Sequence, residues 1–138
     1  MRWSHVGLNC RDPKLTSGFY ERWFGFELAR AVPAGGDEIL FLRKDGVYLE
    51  LFPAAALAAL AAGAPADGAG TEVPGVIRHI AFQTADVDAF LQDMGEAADV
   101  SLGPLDFSEF IAGWKTVWLR DPDGVVVEVS QGYRDEEK

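Results

Sequence analysis

Hydrophobic and polar residues alternate along the chain in two blocks that predict the same succession of elements, β-α-β-β-β. In the first block the pattern predicts strands over 4–10, 26–32, 38–43 and 47–52 and a helix over 12–24. In the second block it predicts strands over 79–84, 100–105, 115–120 and 125–129 and a helix over 86–94. The repeated order indicates two copies of one α+β unit.

The first predicted helix carries an apolar stripe. Asp12-Pro13 is a favoured helix start, and Gly25 is a favoured helix end. Between them Leu15, Phe19 and Trp23 recur at four-residue spacing, with Tyr20 and Phe24 beside them. This pattern predicts an amphipathic helix whose aromatic stripe lies in the core.

The closing strand of each block carries one carboxylate. Asp121 to Gly124 is a turn sequence, and Glu128 interrupts the apolar run of the strand that follows it. Seventy-eight positions earlier, Asp45-Gly46 leads in the same way to Glu50. Because a glutamate is seldom buried unless it is paired or bound, Glu128 is expected to have a partner.

Each block also opens on a strand with a single histidine, His5 or His79, and the chain has only these two. Side chains alternate along a strand, so these residues, Glu50 and Glu128 each lie on the more polar face, opposite an apolar one. Two imidazoles and two carboxylates from four strands predict a divalent-metal site. For any one of them alone, a solvated sheet face or a hydrogen-bonded histidine is the simpler interpretation. The hypothesis depends on the match between the two copies.

Further residues are candidates for lining a substrate pocket. Those on the same strand faces as the four polar residues are Asn9, Tyr48, Phe52 and Gln83. The segment 106–114 has no clear periodicity and supplies Phe107, Phe110 and Trp114, and Trp118 follows it. Loops on a rigid sheet often supply ligand contacts. The aromatic residues therefore predict either a pocket wall or a connection packed on its own sheet.

The two blocks are separated by a stretch rich in alanine, glycine and proline. It predicts a linker over 54–75, with a short helix over 54–62 from propensity alone. The expected organisation is a single domain over 1–138, with module one over 1–53, module two over 76–132 and an acidic tail over 133–138.

Composition and net charge limit the kinds of molecule that this protein is expected to bind. With 138 residues, 49% of them apolar, the chain can bury a core as one domain. Its net charge of -10 argues against nucleic acid and against an anionic membrane surface. Cys10 is the only cysteine, so no internal disulfide is expected. No leader or membrane-spanning segment is evident, which predicts a soluble cytoplasmic protein that binds a small molecule.

These features together resemble the vicinal oxygen chelate superfamily, which includes glyoxalase I, fosfomycin-resistance enzymes, extradiol dioxygenases and bleomycin-resistance proteins. The resemblance covers nearly the whole chain. It is carried by His5, Glu50, His79, the segment Phe19-Tyr20-Glu21-Arg22-Trp23-Phe24-Gly25-Phe26, and Asp121-Pro122-Asp123-Gly124 leading to Glu128. It implies an α+β fold in which two tandem β-α-β-β-β modules form a cup-shaped mixed sheet, often completed in a homodimer.

Within the superfamily, the order His, Glu, His, Glu is most similar to glyoxalase I. That similarity implies that the metal ligands are His5, Glu50, His79 and Glu128. It also implies one divalent ion per site (nickel, zinc, cobalt, iron(II) or manganese), with Glu128 or Glu50 as the catalytic base. The reaction would move a proton between adjacent carbons of a small substrate with vicinal oxygens, through an enediolate. Asn9 stands where bacterial glyoxalase I has an arginine that helps to bind glutathione, which argues against glutathione here.

The other branches of the superfamily fit less well or differ in class. Fosfomycin-resistance enzymes would use only His5, His79 and Glu128, and no lysine-arginine cluster for a phosphonate is evident. Extradiol cleavage needs a further histidine, and none remains. The alternative from another class is a bleomycin-resistance-like protein that binds a cationic natural product without a catalytic metal. Its groove would be lined by Phe107, Phe110, Trp114 and Trp118 through stacking and cation-π contacts.

Overall fold

The structure is a computed structural model that describes residues 1–54 and 67–136. The chain divides into two compact units, Met1–Ala64 and Pro65–Lys138. The helix predicted over 54–62 lies, apart from residue 54, outside the described residues. None of the described helices is long and apolar enough to cross a membrane.

The first unit is a four-stranded mixed sheet with one helix. Its elements are β1 (His5–Cys10), α1 (Pro13–Phe24), β2 (Glu27–Ala34), β3 (Asp37–Lys44) and β4 (Val47–Pro53). The strand order is β1-β4-β3-β2, with β1 parallel to β4 and the other pairs antiparallel. The parallel pair follows from the connection, because α1 carries the chain back before the next strands form.

The second unit repeats this topology. Its elements are β5 (Ile80–Gln83), α2 (Val87–Met94), a 3-10 turn (Gly95–Ala97), β6 (Val100–Asp106), β7 (Lys115–Arg120) and β8 (Val126–Gln131). The strand order is β5-β8-β7-β6, again with only the first pair parallel. The predicted α+β class with two tandem β-α-β-β-β modules is confirmed.

Both helices begin at the predicted aspartates. The side chain of Asp12 accepts hydrogen bonds from the backbone N–H groups of Lys14 and Leu15, at 3.0 and 3.3 Å. Asp86 accepts one from Ala89 at 3.0 Å. At the end of α1, Gly25 takes a left-handed conformation with φ of 68°, which a residue with a side chain adopts only with strain.

The buried face of α1 includes part of the predicted aromatic stripe. Leu15 is 61% exposed, whereas Tyr20 is fully buried. The buried side chains are Thr16, Ser17, Tyr20 and Phe24, with Phe19 and Trp23 only partly covered. The packed face is therefore centred on Tyr20 and Phe24, about 100° around the helix from the series Leu15, Phe19 and Trp23. The small side chains at the start of α1 allow close approach to the sheet, and the rings of Tyr20 and Phe24 fill the space at its end.

The turn between β7 and β8 is organised by a buried carboxylate. Asp121 is 5% exposed, and its Oδ1 accepts hydrogen bonds from the backbone N–H groups of Asp123 and Val125 at 2.8 and 2.9 Å. Its own N–H donates to the carbonyl oxygen of Val125 at 2.9 Å. These bonds close the predicted hairpin and fix where β8 begins.

Replacing Asp121 with alanine is expected to lower the free energy of unfolding by about 1–3 kcal/mol, because two backbone N–H groups lose their acceptor. Urea denaturation followed by circular dichroism measures this loss. Asp45→Asn is the control, since that exposed turn residue has a φ of 51° that asparagine tolerates. Equal stability of the Asp121→Ala protein and the wild type would contradict the expectation.

Candidate metal-binding site

The register of the two parallel strand pairs places the histidines and glutamates in equivalent positions. In the first unit Gly7 of β1 pairs with Glu50 of β4. In the second unit Ala81 of β5 pairs with Glu128 of β8. Each histidine stands two residues before its paired position, on the same side of the strand as that residue. The repeat seen in the sequence is therefore a repeat in the sheet.

The first pair is loosely held. His5 Nε2 lies 3.7 Å from Glu50 Oε2, beyond hydrogen-bond distance. The other ring nitrogen, Nδ1, is 3.1 Å from the hydroxyl of Ser4. The side chain of His5 is 47% exposed. On the antiparallel side Phe41 of β3 pairs with Glu50, so an aromatic residue borders the carboxylate.

The second pair is in direct contact. His79, one residue before β5, places Nε2 at 2.8 Å from Glu128 Oε2. Its Nδ1 is 2.9 Å from the carbonyl oxygen of Ala69. The side chain of Glu128 is only 15% exposed, and Trp118 pairs with it across β7 and β8. The partner expected for Glu128 is thus His79.

Each unit supplies one imidazole and one carboxylate. Among the described residues, no three His, Cys, Asp or Glu side chains are gathered as a metal-binding cluster. Nitrogen and oxygen donors suit a borderline or hard divalent cation, so each pair fits half of the predicted ligand set in chemistry. A centre made of all four residues remains a prediction.

The predicted pocket residues on these strands differ in exposure. Asn9 and Gln83 are exposed, and Tyr48 and Phe52 are partly buried. A Cβ atom at Gly7 would lie 3.3 Å from the ring of Phe52, so the glycine makes room for that ring. The polar face of the first sheet therefore has an aromatic side chain beside the His5–Glu50 pair.

The predicted aromatic residues of the second unit form a cluster with one exception. The ring centroid of Phe107 lies 4.9 Å from that of Trp114 and 6.4 Å from that of Trp118. The ring centroid of Trp114 lies 5.8 Å from that of Tyr133. Phe110 is exposed outside this cluster. No described residue offers an acceptor within hydrogen-bond distance of the buried indole nitrogens of Trp114 and Trp118. The loop thus packs two of its aromatic rings together beside its own sheet.

The similarity to known proteins decides the family. The model of the Glyoxalase/Bleomycin resistance protein/Dioxygenase superfamily matches residues 2–129. The chain belongs to this superfamily. The comparison with curated proteins finds no matching sequence.

Solved structures of the superfamily's fold cover nearly all of the chain. A trypanothione-dependent glyoxalase I from Leishmania major is 20% identical, with 96% of this chain and 87% of that chain covered and a TM-score of 0.68. The fosfomycin resistance protein FosX from Listeria monocytogenes is 18% identical, with 96% of this chain and 94% of that chain covered and a TM-score of 0.67. TnmS3, an antibiotic-binding protein from a Streptomyces species, is 22% identical, with 96% of this chain and 97% of that chain covered and a TM-score of 0.62. These identities show a shared fold.

One part of the site was not predicted for this member of the superfamily. The segment Asp67–Gly70 falls in the stretch interpreted as a linker, yet the carbonyl of Ala69 contacts His79. Arg120 binds Asp67 of this segment, and the pKa of Arg120 is raised above its usual value chiefly by that hydrogen bond. No periodicity marks such a segment, because its contacts are made by backbone carbonyls and by residues distant in sequence.

Proposed function

We propose that this protein is a metal-dependent lyase or isomerase of the glyoxalase type, acting on a small substrate with vicinal oxygens. The supporting observation is the pair of register-equivalent His–Glu contacts, His5 with Glu50 and His79 with Glu128. A solvated sheet face would not require the same two residue types at the same register in both units.

The ligands in this proposal are His5, Glu50, His79 and Glu128. The ion is one of nickel, zinc, cobalt, iron(II) or manganese, since these share a preference for imidazole and carboxylate donors. When bound, such an ion acts as a Lewis acid on the substrate oxygens. The four ligands come from one chain or from two chains of a homodimer.

The protein's own groups would move the proton. A carboxylate within reach of the substrate carbon takes a proton from it and returns the proton to the neighbouring carbon. Glu128 is the residue we assign to this role, because it is largely buried and has His79 at 2.8 Å to hold it in place. Glu50 is the second candidate, since its carboxylate is held less tightly at 3.7 Å from His5. The side chains of Glu50 and Glu128 are 19% and 15% exposed, and Phe41 and Trp118 are their partners on the neighbouring strands.

Metal content tests the proposal directly. The purified protein, loaded in turn with each of the five ions and desalted, is expected to hold about one ion per site by elemental analysis. A His5→Ala, His79→Ala double variant is expected to hold none, because half of the donors are removed. The control is a Glu27→Gln, Glu96→Gln double variant, in which the altered carboxylates are exposed and distant in sequence from the four ligands. Analytical ultracentrifugation of the same samples tests the homodimer.

Failure of the wild type to retain any of the five ions would contradict the proposal and favour a second function. That function is the binding of a cationic or aromatic natural product without a catalytic metal. It is supported by the cluster of Phe107, Trp114, Trp118 and Tyr133, and by two buried indole N–H groups that have no acceptor among the described residues. The net charge of -10 suits a cationic ligand. Such binding would be unchanged by a chelator and by His5→Ala.

A further inference from the structure

The segment Asp67–Gly70 contacts the imidazole of His79. The carbonyl oxygen of Ala69 is 2.9 Å from His79 Nδ1. A carbonyl oxygen can only accept a hydrogen bond, so this contact requires the hydrogen on Nδ1. The second ring nitrogen, Nε2, is then directed at Glu128 Oε2, 2.8 Å away. The contact with Ala69 therefore fixes the orientation of the ring.

Two contacts hold the segment in place, and a third closes a turn within it. Asp67 is bound by the guanidinium of Arg120. The carbonyl oxygen of Gly68 accepts a hydrogen bond from the Ser101 hydroxyl at 2.7 Å. The N–H of Gly70 donates to the carbonyl oxygen of Asp67 at 3.2 Å, closing a turn. The segment is thus tied to β6 and β7, strands that carry none of the four candidate ligands.

Gly70 is required for the close approach of this segment to the residue before His79. A Cβ atom at position 70 would lie 1.9 Å from the carbonyl oxygen of Arg78, which is a backbone atom and cannot move aside independently. The φ of Gly70 is 103°, which also disfavours any other residue. A substitution here must displace the segment, the backbone at Arg78, or both.

Among the contacts of the described residues, the other histidine has no equivalent arrangement. His5 Nδ1 is next to the hydroxyl of Ser4, which can either donate or accept a hydrogen bond. That neighbour allows hydrogen on either nitrogen of the His5 ring. The two histidines are therefore equivalent in register and different in how their rings are oriented.

We propose that Asp67–Gly70 is a positioning element that orients the ring of His79 through the Nδ1–H bond to Ala69, so that Nε2 faces Glu128. This orientation is a property of the metal-free protein. Its consequence for metal binding depends on the proposed function, in which Nε2 is a ligand. A hydrogen bond from the second ring nitrogen to a backbone carbonyl is the usual way to orient a metal-binding histidine, and losing it typically costs about 10–100-fold in metal affinity.

The test loosens the segment without altering His79 or Glu128. In an Asp67→Ala, Ser101→Ala double variant, the segment loses both side-chain contacts that hold it. Asp99→Ala is the matched control, because Asp99 binds the same Arg120 guanidinium at 2.8 Å and makes no contact with the segment among those described. Gly70→Ala is a second, stronger disruption of the same segment. Circular dichroism confirms that each variant is folded.

The first readout is the ¹H–¹⁵N spectrum of the imidazole groups in metal-free protein, where the two histidines are assigned with a His5→Ala sample. We expect an Nδ1–H signal of His79 that exchanges slowly with water in the wild type and in Asp99→Ala, because this hydrogen is bonded to Ala69. In the double variant and in Gly70→Ala, this signal is expected to exchange faster or to disappear. A slowly exchanging Nδ1–H signal in both disrupted variants, or its loss in Asp99→Ala, would overturn the proposal.

The second readout is the affinity for the ion retained best by the wild type, measured by competition with a chromophoric chelator. A decrease of about 10–100-fold is expected in the double variant and none in Asp99→Ala. If the wild type binds no ion, the proposed function fails while the spectra still decide the positioning role. If the ion binds and the Nδ1–H signal of His79 is unaffected by the variants, only the positioning role fails.

Discussion

Glu128→Gln is expected to lower turnover by about 10²–10⁴-fold, the usual loss when a positioned general base is removed. Glutamine has the size of glutamate and keeps an oxygen that can bind a metal, but its amide cannot take up a proton at neutral pH. Because the side chain is partly buried next to β7 and accepts from His79, the isosteric change preserves packing. The folded protein and its metal content are therefore expected to survive while the proton transfer is lost.

The measurement is exchange of carbon-bound hydrogen with D₂O, followed by NMR for a panel of 2-hydroxy carbonyl compounds and hemithioacetals. This readout detects proton abstraction even if the natural substrate is a near relative of the compound tested. Glu50→Gln is the matched control in the equivalent register position, and we expect a smaller loss there. Exchange at the wild-type rate by metal-loaded Glu128→Gln would contradict the assignment of Glu128 as the base.

The order of helices and strands along the chain, and the buried face of each strand, could be predicted from the sequence, because alternation of apolar and polar residues marks which face is buried. Leu49 and Leu51 flank Glu50 and are buried, as are Val127 and Val129 on either side of Glu128. This alternation did not show which strands pair. The structure shows that each carboxylate lies on the strand paired with the one that a histidine begins or directly precedes.

The details that were not predicted depend on interactions between residues that are far apart in sequence. Ala69 lies ten positions before His79, and Asp67 lies 53 positions before Arg120. The relevant groups are a backbone carbonyl and one exposed ion pair, neither of which leaves a pattern of residue types. Composition alone indicated a linker, since alanine and glycine are as compatible with close backbone contact as with flexibility.

The sequence did not distinguish which of two aromatic series in α1 is the more deeply buried. The helix contains two aromatic series offset by one position, Phe19 with Trp23 and Tyr20 with Phe24. Both series have the four-residue spacing of a packed helix face, so spacing does not choose between them. The structure selects the second series, in which Tyr20 contacts the ring of Phe26 just after the helix at a centroid distance of 6.0 Å. Partial exposure of the first series is accompanied by a cation-π contact of Arg22 with Trp23 at 4.8 Å.

Tyr20→Ala is therefore expected to destabilise the protein by about 3–5 kcal/mol, the range for truncating a large buried aromatic residue. Tyr20 is fully buried, and its ring lies 5.2 and 5.7 Å from those of Phe19 and Phe24. Leu15→Ala, in the same helix and with an equally good helix former introduced, is expected to change stability by no more than about 0.5 kcal/mol, because Leu15 is 61% exposed. Urea denaturation of both variants measures the difference. A larger loss of stability in Leu15→Ala than in Tyr20→Ala would contradict this expectation. It would indicate that Leu15, Phe19 and Trp23 form the packed face, since truncating Leu15 is costly only if Leu15 is buried.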